Sequence, residues 1–224
     1  FFQVLAADLA AEKILPADIS KAILVVLRRR LDALRARCES MVAIATEALR
    51  RGEYLLSKSS IDVDFFERHY FGDELTSHQK KLLLRSVFPV QLSLDEESSD
   101  LAIANLLRLI EKSHGRIPPT EAQAEHGNRG QFYAKRFLEL GGAKKLSPLL
   151  IPDSNVVGAV LTLYLIESGA NISVGRTLSI DCMEPSTTED HCSITGHKAR
   201  ADGKPIITEL PNSSAAVRSM AWLK

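Results

Sequence analysis

The chain has 224 residues, of which 45% are hydrophobic and 25% charged, and its basic and acidic side chains are equal in number. This balance is typical of a soluble globular protein with one large domain or two small ones. A net charge of zero does not by itself indicate a nucleic-acid partner. Its apolar runs are only a few residues long, far short of the roughly 20 needed to cross a bilayer, so no membrane partner is expected.

The N-terminal region, residues 1–57, is predicted to consist mainly of one long helix. Pro16-Ala17-Asp18 is a plausible start, and no glycine or proline follows until Gly52, where we expect the helix to end. Its apolar residues alternate spacings of three and four, which is a heptad seam: Leu24, Leu27, Leu31, Leu34, Cys38, Met41, Ala45 and Ala48. We expect this seam to pack on helices of its own chain or on an acidic partner.

Basic residues are concentrated in two blocks. Residues 21–51 hold eight basic and three acidic side chains and residues 127–150 hold five and one, whereas residues 52–126 hold eight and thirteen. Such blocks can neutralise phosphates, or can simply solvate helix surfaces. The candidate DNA-binding residues are Arg28, Arg30, Arg35, Arg37, Arg129, Lys135, Arg136, Lys144, Lys145 and Arg200.

Four shorter helices are predicted for residues 58–146. Their starts are indicated by Asp62, Thr76, Asp95 and Gly130, whose side chains or flexibility suit a first turn. The glycine-rich stretch 141–148 is either an interdomain linker with lysines on a phosphate backbone or a simple loop between helices.

Residues 147–224 should form a helix that stops at Gly169, a second helix capped by Asn171 or Ser173 and reaching about Ile180, and a β-hairpin. The hairpin strands are predicted at residues 193–195 and 205–208. The fold class is therefore mainly α: a helical bundle region followed by a helical domain with a small antiparallel β-hairpin.

Three segments of this region resemble the first half of the catalytic domain of tyrosine recombinases, the phage-integrase family. The turn between the helices is Ser168-Gly169-Ala170-Asn171-Ile172-Ser173, and Leu178-Ser179-Ile180-Asp181-Cys182 follows. The hairpin carries Lys198-Ala199-Arg200 and then Lys204-Pro205-Ile206. The resemblance implies that residues 58–146 correspond to the helical domain that clamps DNA, and residues 147–224 to part of the catalytic domain.

The resemblance also implies roles for single residues. Lys198 would donate a proton to the leaving 5′ oxygen. Asn171 stands where the family has a phosphate-holding arginine, and Arg176 is a surrogate cation. The implied partner is double-stranded DNA, with self-association on the DNA, and no metal or cofactor is required. Because no tyrosine or histidine follows Lys198, we predict that this chain alone does not cleave DNA.

Other features fit a cytoplasmic protein, and two alternatives to DNA recombination stay open. Cys38, Cys182 and Cys192 lack CxxC spacing, which favours a reducing compartment, and no zinc pattern is present. The chain starts Phe-Phe without a methionine, so we expect it to be a piece of a longer protein.

The alternatives to DNA recombination are a protein-interaction module that docks through residues 24–48, and a helix–turn–helix regulator whose recognition helix is 171–180.

Overall fold

The computed structural model describes residues 18–89, 96–117, 128–198 and 204–223, together with residues 7, 10 and 11. The fold is mainly α with a small antiparallel sheet, as predicted. Its helices are α1 (Ile19–Lys58), α2 (Val63–Phe71), α3 (Ser77–Val87), α4 (Glu96–His114), α5 (Asn128–Glu139), α6 (Gly142–Leu146), α7 (Ser154–Ser168), α8 (Ile172–Gly175) and α9 (Ala215–Leu223). The strands are β1 (Met183–Pro185), β2 (His191–Lys198) and β3 (Lys204–Pro211).

The chain divides into two compact units. One comprises Phe1–Ala43 and Ser154–Lys224, and the other comprises Ile44–Asp153. Helix α1 contributes residues to both units. The division into domains at residues 57 and 146 stays a prediction. In the described ranges no single helix has both the length and the hydropathy to span a bilayer, and the consecutive segments Gly142–Leu149 and Ser154–Ser168 reach these values only together.

Helix α1 continues past the glycine at which we predicted its end. Gly52 lies inside the helix and is buried. A Cβ atom at this position would lie 2.7 Å from the carbonyl carbon of Leu149 and 3.1 Å from its Cα. Glycine is present here because the helix passes so close to the 3₁₀ turn Ser147–Leu149, and not because the helix stops.

The heptad seam of α1 is only partly buried. Cys38 and Ala45 are among the buried residues, with exposed fractions of 4% and 8%. The first four leucines of the seam instead keep 45–65% of their surface exposed: Leu24, Leu27, Leu31 and Leu34. Within the described residues, packing on helices of its own chain, which is one of the two alternatives expected for the seam, therefore does not hold for these four leucines.

The unit formed by residues 44–153 is built from short capped helices around one core. Asp62 caps α2 by accepting the Phe65 N–H, and Thr76 with Gln79 forms a capping box at the start of α3. Phe66, Leu106 and Ile110 are fully buried at the centre. These helices confirm the predicted starts at Asp62 and Thr76.

The glycine-rich stretch 141–148 is a packed part of this unit. Gly141 and Gly142 have φ of 126° and 68°, which turns the chain out of α5, but α6 and a 3₁₀ turn follow at once. Leu146 in α6 is fully buried in the core. Of the two alternatives for this stretch, the connection between helices within one unit agrees with the burial of Leu146, which anchors the segment.

Asn105 is a buried polar residue that ties three segments of the same unit together. Its side-chain amide donates to the carbonyl oxygen of Val87 at 2.7 Å, at the end of α3. Its side-chain oxygen accepts from the Ser59 hydroxyl at 2.9 Å, just after α1. Only 5% of Asn105 is exposed, so these hydrogen bonds compensate its loss of water.

In the other unit, the turn after α7 follows the prediction, but the next helix is shorter. Gly169 has φ of 64° and Asn171 caps α8 by accepting the Ser173 N–H at 2.9 Å. Helix α8 ends at Gly175, five residues before the predicted Ile180. The chain leaves the helix because the Thr177 hydroxyl accepts the His197 N–H at 2.7 Å, which binds this segment to β2.

The three strands form an antiparallel sheet in the order β1-β2-β3. Pairing of β2 with β3 runs from His191 opposite Pro211 to Lys198 opposite Lys204, and this confirms the predicted hairpin. Strand β1 was not predicted. Alternate residues of β2, Cys192, Ile194 and Gly196, are buried, as expected for a strand with one face on a core.

Candidate nucleic-acid interface

A basic cleft lies between α3 and α5 in the unit formed by residues 44–153. Its volume is about 840 Å³. Two lysines of α3 and two cations of α5 line it: Lys80, Lys81, Arg129 and Lys135. Among the described lining residues, Asp73 is the one carboxylate. The cleft therefore concentrates positive charge in a concave site, where low-dielectric walls focus the electrostatic potential.

The floor of the cleft is aromatic. The Phe132 ring of α5 lies 4.9 Å from the Tyr70 ring and 5.5 Å from the Phe71 ring, both at the end of α2. Phe132 also lies 5.9 Å from Phe66, which is fully buried in the core. Ring pairs at these distances hold α2 against α5, so the cations stand on a packed base.

Arg129 is held at the cleft by two neighbours. Its guanidinium lies 5.3 Å from the centroid of the Phe71 ring and 3.6 Å from a carboxylate oxygen of Glu67. The side chain nevertheless remains 61% exposed. An exposed guanidinium with one partly shared carboxylate keeps donors for a phosphate, since it carries five N–H groups in a planar fork.

The other predicted DNA-binding residues do not line this cleft. Arg136 pairs with Glu139 at 2.7 Å and lies 5.8 Å from the Phe132 ring centroid, so it packs behind the cleft. Lys144 and Lys145 are exposed on α6. The α1 cations belong to other surroundings: Arg28, Arg30 and Arg37 are exposed, and Arg35 lies 4.0 Å from Glu167. Arg200 lies outside the described residues.

The candidate catalytic residues come from α8 and the hairpin. Asn171 is exposed, but its side-chain oxygen is used as the helix cap. Arg176 is exposed directly after α8, and its backbone N–H bonds to Ile172. Lys198 is exposed at the end of β2, opposite Lys204. Since Thr177 is bonded to His197, the segments carrying Arg176 and Lys198 meet at this point of the unit.

The tyrosines are poorly suited to act as a nucleophile. Tyr164 is fully buried. Tyr133 is 1% exposed and its hydroxyl donates to Glu67. Burial raises the pKa of Tyr133, and the hydrogen bond to Glu67 raises it further, so its phenolate is disfavoured. Tyr70 belongs to the aromatic floor, and Tyr54, although 56% exposed, lies under the Lys58 ammonium.

Sequence reasoning missed Lys80 and Lys81. They lie within residues 52–126, where acidic side chains outnumber basic ones, so the charge pattern favoured the basic blocks on either side. The available signal was the capping box at Thr76, because it fixes where α3 begins and thus places adjacent lysines in its first turns. What the sequence could not supply was the neighbouring position of α5.

Comparison with protein-family models, with curated proteins and with solved structures finds no match for this chain. Over the described ranges, no three His, Cys, Asp or Glu side chains are grouped closely enough to hold a metal ion.

Proposed function

We propose that this protein binds duplex DNA and that the basic cleft between α3 and α5 holds the phosphate backbone. The observation that carries the proposal is the convergence of Lys80, Lys81, Arg129 and Lys135 on one concave surface, although they come from two separate helices. Lysine and arginine at such a surface neutralise phosphates and release counterions, which supplies affinity without reading sequence.

We further propose that the chain is the DNA-binding part of a tyrosine-recombinase-like protein that does not cut DNA by itself. The β2–β3 hairpin with an exposed Lys198 at its end supports the resemblance. Asn171 uses its side-chain oxygen as the helix cap, so a phosphate contact would have to come from its amide N–H₂ group, and an amide carries no charge to offset a developing phosphorane. Strand cleavage and rejoining would then belong to a longer protein.

The test is a salt titration of DNA binding by fluorescence anisotropy, with a labelled duplex of about 30 base pairs and salt from roughly 50 to 200 mM. If the cleft contacts three or four phosphates, the slope of log K against log salt should be about −2.7 to −3.6. The double variant Lys80→Gln/Lys81→Gln should make the slope shallower by about 2.

A matched control separates the cleft from general charge. The double variant Lys58→Gln/Lys112→Gln removes the same charge from the same unit, but both lysines lie outside the cleft, with Lys112 paired to Asp64 at 2.6 Å. It should leave the slope nearly unchanged. Equal effects of the two double variants, or no binding at micromolar protein in low salt, would refute the proposed site.

A further inference from the structure

Helix α1 carries an exposed leucine stripe, which consists of Leu24, Leu27, Leu31 and Leu34. Their exposed fractions are 65%, 52%, 48% and 45%. Ala22 and Val26 lie on roughly the opposite side of the helix and are 6% and 5% exposed. One side of this part of the helix is therefore buried, while the leucine stripe on the other side remains exposed.

The spacing of the stripe is that of a coiled-coil contact. The intervals are three, four and three residues, so the leucines occupy successive a and d positions of two heptads. Exposed leucines scattered singly are ordinary on a protein surface, but four in register form a continuous apolar strip. Such a strip fits the apolar seam of one other helix.

Charges flank the leucine stripe on both sides, and all have the same sign. Arg28 and Arg35 follow the d positions, whereas Arg30 and Arg37 precede the a positions. The acidic residues of this segment, Asp32 and Glu39, each follow an a residue and so occupy b positions, which do not flank the contact with a partner helix. The e and g positions, which choose the partner of a coiled coil, are thus uniformly basic.

These charges decide among the possible occupants. A second copy of the chain would bring arginine against arginine in either a parallel or an antiparallel pairing, so charge repulsion opposes it. Duplex DNA would neutralise the arginines but would leave the leucines in water. A helix with an apolar seam and glutamate or aspartate on its flanks satisfies both the leucines and the arginines.

We propose that the leucine stripe of α1 docks an acidic amphipathic helix of a partner protein. Arg28 and Arg37, both exposed, face the partner's carboxylates. Arg35 already lies 4.0 Å from Glu167, so it contributes less new pairing. This surface shares no residue with the basic cleft, and the proposal does not depend on DNA binding.

The experiment measures binding of the full chain to a labelled peptide of three heptads with leucine at a and d and glutamate at e and g. A second peptide keeps the leucines and has lysine at e and g, and a third keeps the glutamates and has serine at a and d. We expect the glutamate peptide to bind at least about tenfold more tightly than either control peptide.

Variants of the chain connect the binding to the stripe. Leu27→Ser/Leu31→Ser should weaken the glutamate peptide about tenfold or more, because two central knobs are lost. Ile44→Ser/Leu82→Ser, which alters equally exposed apolar residues away from the stripe, should not. Circular dichroism checks that each variant keeps its helix content.

Charge reversal gives the sharpest result. In Arg28→Glu/Arg37→Glu the preference for the glutamate peptide over the lysine peptide should collapse from about tenfold to about onefold. Equal binding of both peptides to the unmodified chain would overturn the proposal. So would dimerisation of the chain through the stripe, seen by sedimentation without peptide and abolished in the leucine variant.

Discussion

Substitution of Gly52 by alanine tests whether this glycine serves packing or merely weakens α1. In an open helix position, replacing glycine by alanine stabilises a protein by about 0.5–1 kcal/mol, because alanine has the better helix propensity. At Gly52 the new Cβ would lie 2.7 Å from the carbonyl carbon of Leu149, whereas carbon atoms in contact prefer roughly 3.5–4.0 Å. The carbonyl oxygen of Leu149 would lie closer still, so the helix and the 3₁₀ turn would have to separate by at least about 1 Å.

We expect the packing cost to exceed the propensity gain. Overfilling a packed site typically costs about 1–3 kcal/mol, and here the obstructing atoms are backbone, which cannot rotate away. Gly52→Ala should therefore lower the free energy of unfolding by about 1–2 kcal/mol after the gain is subtracted. The matched control is Gly158→Ala in α7, where the glycine is exposed and a Cβ meets nothing within 4 Å.

The assay is hydrogen exchange read by mass spectrometry, because the two glycines lie in different compact units and each unit needs its own reporter. Gly52→Ala should accelerate exchange in peptides of the 44–153 unit. Gly158→Ala should slow exchange in α7, or leave it unchanged. If Gly52→Ala slowed exchange around Leu149, α1 would not pass as close to that turn as the structure has it.

Three further predictions concern stability and reactivity, and one concerns catalysis. Asn105→Leu should destabilise the 44–153 unit by about 2–4 kcal/mol in urea unfolding, because the Ser59 hydroxyl and the Val87 carbonyl oxygen would each lose the hydrogen bond that Asn105 supplies. Burial raises the pKa of the Cys38 thiol, and the adjacent Glu39 adds to the shift, so maleimide labelling of Cys38 at pH 8 should be slow until denaturant is added. Hydrogen bonds from two hydroxyls lower the pKa of Glu209 from its ordinary value of 4.5. The stability that the Glu209 carboxylate contributes is therefore present above pH 4.5 and is lost as the pH falls below it. The difference in melting temperature between the unmodified chain and Glu209→Gln should accordingly become smaller in acid. On a nicked suicide DNA substrate the chain should form no covalent adduct, and a trapped adduct mapped to a tyrosine would contradict that expectation.

The sequence predicted the helices well where a local signal marks their ends. Asp62 and Thr76 cap α2 and α3, and Gly169 leaves α7 with a positive φ, as expected from each residue's own chemistry. The hairpin was also predicted, because its two runs of strand-forming residues need only each other. These features depend on residues that are close to one another in sequence.

The errors share one cause, since each depended on packing or bonding with residues distant in sequence. Gly52 was interpreted as a helix stop, but Leu149, far along the chain, explains it. The end of α8 at Gly175 instead of Ile180 results from the bond between Thr177 and His197. For the stretch 141–148 the glycines left an interdomain linker and a loop between helices equally open, because the burial of Leu146 depends on the rest of the unit.

The candidate sites, too, were determined partly by the sequence and partly by the tertiary structure. Composition and spacing alone determined that the chain is mainly α with a small hairpin that has Lys198 in or beside its connection, and that α1 carries leucines at heptad spacing flanked by arginines. Only the tertiary structure decided which cations share a surface and which leucines remain in water. Local propensity acts within a few residues, whereas burial and the electrostatic potential of a cleft depend on all elements that meet there, whatever their separation in sequence.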